Sequence, residues 1–500
     1  MGSVTLSQPE VATDSLGFFR WGRVAGQVLL TNDAGDWAFL SEAEFNDLLA
    51  GRVTEGHPRF EEFQGKGFLR DGLDLDALAT RVSLRNRHVR RGPHVHVVTL
   101  TLRRGEASNG QSVEPFETDM TTETAEKIVC LALDGMSPAM TFELQGQGGE
   151  PLLNFEVLRH LVEFAQSHNK QTTGKNLRFI LLSNFTAMTE EAAEWLIAND
   201  VLVSTILDGP AEVHDANRKH LGGSAHADVV RWIDYFARRY AALGRDPKQW
   251  YVDARMIATR QTLEAGPRVV DEYVGRGLPT IQFTALDRFV VGADTWAKLG
   301  YTVTEYLDFY RRMLDYILDL NRRGVELTER LASIVATKIL TSDDPGIVDI
   351  QSPYGAGSGQ IAYNVDGRVF PCDEARVVDA LGDPIFELGR IENMNTLGVV
   401  RHPTVRAIAA ASLLDSQPMC TDCWNKPYCG FSPVRSFVAQ GDLFGQRPHC
   451  FECKEHMAVS TRLFELLADE NDSEAKGILT RWSVARSPHA FDTRATRETF

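Results

Sequence analysis

The chain of 500 residues has room for about three domains, and 43% hydrophobic with 24% charged residues is the composition of an ordinary globular protein. Its 52 Lys and Arg against 68 Asp and Glu leave a net charge of −16, which excludes a broad nucleic-acid or anionic-membrane surface. No apolar run approaches the roughly 20 residues that span a bilayer. The N-terminus lacks a signal-peptide plan, and Leu6 stands where a myristoylation signal needs Ser or Thr, so a cytoplasmic protein is expected.

Residues 1–90 read as a separate module. Apolar runs at Val24–Leu30 and Trp37–Leu40 flank the turn former Asn32-Asp33-Ala34-Gly35, the pattern of a hairpin. Ser41 then opens a helix over Glu42–Leu49, with Glu44 placed as its capping-box partner. A second helix, Leu73–Val82, leads into the basic run Arg85–Arg91, read as a solvated linker.

From His94 the rhythm changes to apolar strands alternating with amphipathic helices. Strands are expected at His94–Leu102, Met140–Leu144, Leu177–Leu182, Val201–Leu207, Val252–Ala258 and Thr280–Ala285. Helices are expected at Thr122–Leu133, Phe155–Ser167, Glu190–Ala198, Val229–Leu243 and Thr304–Arg323. Alternation of this kind argues for βα units and a parallel sheet, open or curled into a barrel, over residues 91–345. Ligands of parallel barrels sit at the C-terminal ends of strands, so the loops there are the first places to search. Residues 346–470 are irregular and rich in Gly, Pro and Cys, closing on a helix at Met457–Leu467, and 471–500 read as a polar, frayed tail.

Of seven cysteines, Cys420, Cys423, Cys429, Cys450 and Cys453 fall within 34 residues. In a reducing compartment such a cluster is a metal site more often than a set of disulfides. Cys420-Thr421-Asp422-Cys423 brings two sulfurs onto one ion through a tight turn, Cys429 extends the run to C-x2-C-x5-C, and Cys450 or Cys453 completes a set of four. Four thiolates suit zinc and iron–sulfur alike. Trp424, Tyr428 and Phe431 could shield the centre or be plain core. Cys130, among Ile128, Val129 and Leu133, reads as a buried small hydrophobe. His94 and His96 share one face of a strand and could be paired in the barrel, but one or both are expected at the strand's exposed mouth rather than on a metal. His214, Asp215 and Arg218 can orient one another on a helix, either at an active-site rim or as a structural network.

The loop Gly146-Gln147-Gly148-Gly149-Glu150-Pro151 follows a strand and precedes a helix, so its backbone N–H groups can face a ligand and Glu150 can accept from an ammonium. Gly148-Gly149-Glu150-Pro151 resembles the GGEP stretch with which radical S-adenosylmethionine (SAM) enzymes contact the methionine amino group. Ser183-Asn184, Leu207-Asp208-Gly209-Pro210, His214-Asp215 and Asn217-Arg218 follow in the order found in radical SAM peptide maturases with a C-terminal SPASM domain, and the His-Xaa-Ser peptide maturases are the branch most similar. The resemblance extends to Leu30-Thr31-Asn32-Asp33-Ala34-Gly35, Tyr363-Asn364-Val365-Asp366-Gly367 and Asp373-Glu374-Ala375-Arg376.

That resemblance implies an α/β fold: a partial (β/α)6 barrel, a winged-helix-like peptide-recognition module before it and a SPASM-like domain after it. It implies that Gly148, Gly149, Glu150 and Asn184 are remnants of a SAM site. It also implies that Cys420, Cys423 and Cys429 with Cys453, or alternatively Cys450, hold one [4Fe–4S] cluster, with zinc as the competing occupant. The family's defining C-x3-C-x2-C is missing: Arg104, Ser108 and Gln111 stand at the three positions and Gly110 replaces the aromatic residue before the third. Three thiolates are needed to leave one iron open for SAM, so radical chemistry of the family type is not expected. A second SPASM cluster is missing too, since Tyr354 and Ser432 occupy ligand positions and Cys372 alone remains. The reading is a degenerate, non-catalytic partner that binds a precursor peptide or a catalytic radical SAM enzyme, with no nucleic acid and no membrane. An active peptide-modifying enzyme using SAM or another ligand differently, and a structural or regulatory metal protein, are the alternatives.

Overall fold

The computed structural model describes residues 11–86, 89, 92–103, 118–146, 149–218 and 223–484. The expected hairpin forms from Gln27–Thr31 (β2) and Trp37–Leu40 (β3), and Arg20–Val24 (β1) pairs on the other side of β2, all antiparallel. Ser41 and Glu44 make the capping box, with Glu44 accepting from the Ser41 N–H at 2.8 Å. Helices Glu42–Leu49, Phe60–Gly65 and Leu75–Arg85 complete a module whose core holds Val28, Leu30, Leu40, Phe45, Phe63 and Phe68.

The start of the basic run is no linker. Arg85 is buried and donates to the carbonyls of Lys338, Thr341 and Pro427 at 2.8, 3.2 and 3.0 Å. The first two belong to the C-terminal turn of the helix Arg330–Leu340 and its cap, where exposed carbonyls attract a cation. A Cβ at Gly35 would lie 2.2 Å from this guanidinium, so the hairpin turn needs glycine for the close approach as well as for its φ of 78°.

Six strands build the central sheet in chain order: Val95–Thr101 (β4), Ala139–Gly146 (β5), Asn176–Leu182 (β6), Val201–Ile206 (β7), Asp253–Ile257 (β8) and Phe283–Thr284 (β10), each parallel to the last. Val98, Leu100, Phe142, Leu144, Phe179, Leu181, Val201 and Val203 bury the outer face in the main core with the flanking helices. Strand alternation turns Thr99, Glu143, Gln145, Ser204, Asp253 and Arg255 to the opposite, inner face. The expected strand over Thr280–Ala285 divides: Thr280–Ile281 (β9) pairs with Thr328–Glu329 (β11) in a separate sheet, and only β10 joins the barrel.

The sheet does not end at β4. Gln360–Tyr363 (β12) adds parallel to it, and Arg368–Phe370 (β13) and Gly389–Arg390 (β14) follow antiparallel, so the cysteine-rich segment continues the barrel's own sheet. At the other end, the expected frayed tail contains the helix Ser473–Val484, which buries Ala475, Ile478, Leu479 and Trp482 against the helices Val303–Arg322 and Arg330–Leu340. Its spacing of small and large apolar residues among Lys and Arg hid a packed face. Residues 485–500 lie outside the described residues. Among the described residues no helix is long and apolar enough to cross a membrane.

Candidate functional site

The glycine loop after β5 is folded onto the protein itself. Gln147 and Gly148 lie outside the described residues. The Glu150 N–H donates to the Arg103 carbonyl at 3.1 Å, and a Cβ at Gly149 would meet that same oxygen at 2.2 Å. Glu150 is fully buried, and its carboxylate accepts from the Leu152 N–H at 3.1 Å, the Ser183 hydroxyl at 2.8 Å and the Asn184 N–H at 2.8 Å. It therefore ties the loop after β5 to the loop after β6 and is not turned toward a ligand's ammonium. Burial pushes this carboxyl up to about 7 despite the three donors. Asn184 is exposed, its amide oxygen accepting from the Thr186 N–H and hydroxyl.

The stretch after β7 is likewise a structural network, joined through Asp208 rather than directly. Asp208 is buried, accepts from Arg218 Nε at 2.8 Å and from the Ile257 N–H at 3.0 Å, and its own N–H donates to His214 Nδ1 at 3.1 Å. Asp215 accepts from Ser224 and the His226 N–H. The two histidines of β4 are not at an exposed mouth. His94 and His96 are both buried, and His96 Nδ1 shares a 2.9 Å hydrogen bond with the Tyr363 hydroxyl on β12 while its ring stacks on Phe142 and Tyr363. The strand added beyond β4 is what covers them. Burial drops His96 to about 3, so it is neutral at ordinary pH.

The inner face of the barrel is polar. Arg330 pairs with the buried Asp253 at 2.6 Å, and Arg255 stands between Asp253 at 3.7 Å and Glu143 at 3.9 Å. Gln145 donates to Asp373 at 2.8 Å, anchoring the helix Asp373–Ala380 over the barrel mouth. Above it, Arg435 is surrounded by Asp287 at 2.9 Å, Glu374 at 3.6 Å and Glu452 at 4.0 Å. Burial, and then Glu374, hold the Asp349 carboxyl above its usual range.

Beside Glu374 the structure brings together the three positions expected for a second cluster. Cys372 is fully buried beside Tyr354 and Glu374, Ser432 lies next to Tyr354, and the Tyr354 hydroxyl donates to Glu374 at 3.1 Å. Burial holds the Cys372 thiol far above its usual range. Cys130 is exposed: the helix Thr122–Asp134 buries Ala125, Ile128, Val129 and Ala132 and turns 126, 130 and 134 away.

The five clustered cysteines gather where the C-terminal segment meets the N-terminal module. Their sulfurs are not drawn to bonding distance of one point, for among the described residues no three His, Cys, Asp or Glu side chains converge on a metal-ion position. They nonetheless share one field. After burial, Cys453, Cys423 and Cys420 are the groups that most raise the Cys429 thiol, and burial followed by Cys423 and Cys453 pushes Cys420 up to about 11. Cys453 occupies the first turn of the helix Phe451–Ala468. Cys450, at that helix's N-cap, instead accepts from the Gln440 amide at 3.0 Å. His456, three residues after Cys453 and on the same helix face, places Nδ1 3.6 Å from Cys429 and 3.2 Å from the Gly430 carbonyl. The i, i+3 spacing from Cys453 could have found it; the long-range approach to Cys429 could not.

The loop 420–429 is held by the hairpin of the first module. Arg20 donates to the Thr421 carbonyl at 2.5 Å, Thr31 to the Trp424 carbonyl at 2.7 Å and the Tyr428 hydroxyl to the Gly35 carbonyl at 3.0 Å, while Lys426 pairs with Asp33 at 3.1 Å. The turn Asn32-Asp33-Ala34-Gly35 is thus a clamp on the cysteine loop. Tyr428 and Phe431 are buried and Trp424 packs edge-on to Phe464, so these aromatics serve as core around the thiols. Tyr428→Phe, which strands a buried carbonyl, is expected to lower stability by about 1–2 kcal/mol in urea denaturation.

The cysteine-type anaerobic sulfatase-maturating enzyme of Clostridium perfringens is 26% identical over 284 residues, 55% of this chain and 69% of that enzyme. The enzyme of the same description from Clostridium novyi is 31% identical over 111 residues, 22% of this chain and 28% of that one. The chain is related to the radical SAM/SPASM maturases. Native anSMEcpe with bound AdoMet, a solved structure at 19% identity, shares the fold with a TM-score of 0.62 over 77% of this chain and all of that one. The same enzyme with AdoMet and the Cp18Cys peptide superposes equally well. No protein-family model matches the chain. Against these maturases, Arg104, Ser108, Gly110 and Gln111 fall in a segment outside the described residues.

Proposed function

We propose that this chain is a degenerate radical SAM/SPASM protein of a ribosomal-peptide modification system, a non-catalytic partner that binds a precursor peptide or a catalytic maturase. One [4Fe–4S] cluster would be held by Cys420, Cys423, Cys429 and Cys453. The observation that carries this reading is the distribution of thiols. The first cysteine in the whole sequence is Cys130, exposed on the helix after the loop where a catalytic cluster would sit, so that loop has no thiolate to offer. The internal bonding of Glu150 supports it, because the carboxylate and N–H of the GGEP remnant are already used. The fit of the C-terminal set rests on its chemistry: thiols sharing one field, beside a helix N-terminus and buried cations. A bound cluster would supply electron transfer or a structural crosslink. The chain's own contribution is the hairpin clamp and the aromatic shell that exclude water.

Anaerobic purification followed by iron, sulfide and zinc analysis is expected to give about four irons and four sulfides per chain and no zinc. Incubation with SAM and dithionite is expected to yield no 5′-deoxyadenosine. Turnover of SAM would overturn the non-catalytic reading, and stoichiometric zinc would favour the structural or regulatory alternative. The enzyme alternative draws support from the charged inner face of Glu143, Asp253, Arg255 and Arg330, and calorimetric binding of SAM would revive it.

A further inference from the structure

The chain leaves the last barrel strand, β10, at its C-terminal end and runs straight into a segment with almost no hold on the protein. Arg288–Leu299 form a helix without one buried side chain, and Val290 is 53% exposed. Gly292 breaks that helix in two at φ 75° and ψ 168°, and nothing would obstruct a Cβ there, so the backbone alone calls for glycine. Helical pieces this short are marginal in water without a packed face. The base of the segment is rigid by contrast. The Leu286 N–H donates to the Tyr301 hydroxyl at 2.7 Å, which ties entry to exit, and Arg260 donates to the Gly300 carbonyl at 2.6 Å. Tyr301 in turn stacks on the fully buried Tyr306.

Two side chains hold the segment down over the barrel mouth. Asp287 pairs with Arg435 at 2.9 Å, and Phe289 packs on the small core that contains Val95, Tyr354 and Cys372. Arg435 also faces Glu374, on the helix that Gln145 anchors to the inner face, so one guanidinium joins the two sides of the mouth. One layer below Gln145 on β5 lies Glu143. It is 8% exposed, and among the described residues it accepts no hydrogen bond and has Arg255 at 3.9 Å. A buried carboxylate without a donor is costly, and whatever satisfies it has to enter through the mouth.

We propose that residues 286–300 are a flap that gates the inner face of the barrel, with Asp287 and Arg435 as its latch and Gly292 as the point where it bends. The flap opens as a unit about the Leu286–Tyr301 base and withdraws Asp287 and Phe289 from the mouth. Glu143 and Arg255 are then reached from solvent. The flap needs neither the cysteine centre nor the non-catalytic reading, so its test is separate from theirs.

That test compares the wild-type chain with Asp287→Asn, which keeps an oxygen for the Phe289 N–H and loses the charge. Hydrogen exchange of 286–300 reads the opening. Carbodiimide coupling of glycine ethyl ester, quantified by mass spectrometry of peptides, reads access to Glu143. In the wild type, flap amides should exchange at least about tenfold faster than those of Val303–Arg322, whose apolar face is buried. Asp287→Asn should speed flap exchange about fivefold and Glu143 labelling by the same factor, with Val303–Arg322 and the exposed Glu163 unchanged. Gly292→Ala, which removes the bend and leaves the latch residues in place, should raise both readings too. Faster flap exchange with unchanged Glu143 labelling describes a loose loop and overturns the proposal. So does wild-type labelling of Glu143 at the rate of Glu163, which means a mouth already open. Flap amides as protected as Val303–Arg322, or two variants that move neither reading, overturn it as well.

Discussion

Cys453→Ser is expected to abolish the iron content of the protein, and Cys450→Ser is expected to leave it at the wild-type level. The two residues are one helical turn apart, and sequence spacing cannot choose between them. The structure separates their surroundings. After burial, Cys453 is the neighbouring thiol that most raises Cys429, and Cys453 lies in the first turn of a helix, where unpaired N–H groups favour a thiolate. The Cys450 sulfur already accepts from Gln440 and lies 3.5 Å from the Gln446 carbonyl, so its removal loosens a loop and not a ligand set. Iron and sulfide analysis with the charge-transfer absorption of anaerobic samples reads the result directly. Loss in Cys450→Ser with retention in Cys453→Ser would assign the fourth ligand the other way.

The parts of this fold visible in the sequence are those set by local periodicity. The capping box at Ser41 and Glu44, the hairpin around Asn32–Gly35 and the alternation from Val95 to Ile257 all depend on residues close in the chain. What the sequence concealed depends on contacts across hundreds of residues. Arg85 reads as part of a solvated run until the carbonyls of Lys338, Thr341 and Pro427 are brought to it. His94 and His96 belong to an edge strand until β12 covers it. The same holds for the site: C-x2-C-x5-C announces a thiol centre by spacing alone, but the clamp by Asp33 and Gly35 and the approach of His456 to Cys429 are tertiary facts. Cys130 failed for a different reason, because a small apolar residue flanked by Ile128, Val129 and Leu133 can fall on the wet side of a helix when the turn places 126, 130 and 134 together.

Glu150 is expected to make wild-type protein lose roughly 3 kcal/mol of stability as pH rises from 4.5 to 7, relative to Glu150→Gln. The sign follows from the direction of the shift. Burial raises the folded-state carboxyl from 4.5 to about 7, outweighing the donors from Ser183, Asn184 and Leu152 that favour its charged form. Between those two values the folded chain keeps a proton that the unfolded chain has released. Its contribution is therefore complete below about 4.5, declines across the window and is gone above 7. Asp349 and Glu143 are held high by burial as well, so the informative quantity is the difference between the two pH profiles of urea midpoints. The Gln variant carries a fixed penalty of about 1–3 kcal/mol, because its amide presents N–H to the Asn184 N–H, but no slope of its own. A flat difference from pH 4.5 to 7.5 would show that the loop carboxylate is ionised throughout, hence hydrated or bound to something cationic, and the GGEP remnant would again be a candidate for holding a ligand's ammonium. A falling difference leaves Glu150 as the internal strut between the loops after β5 and β6.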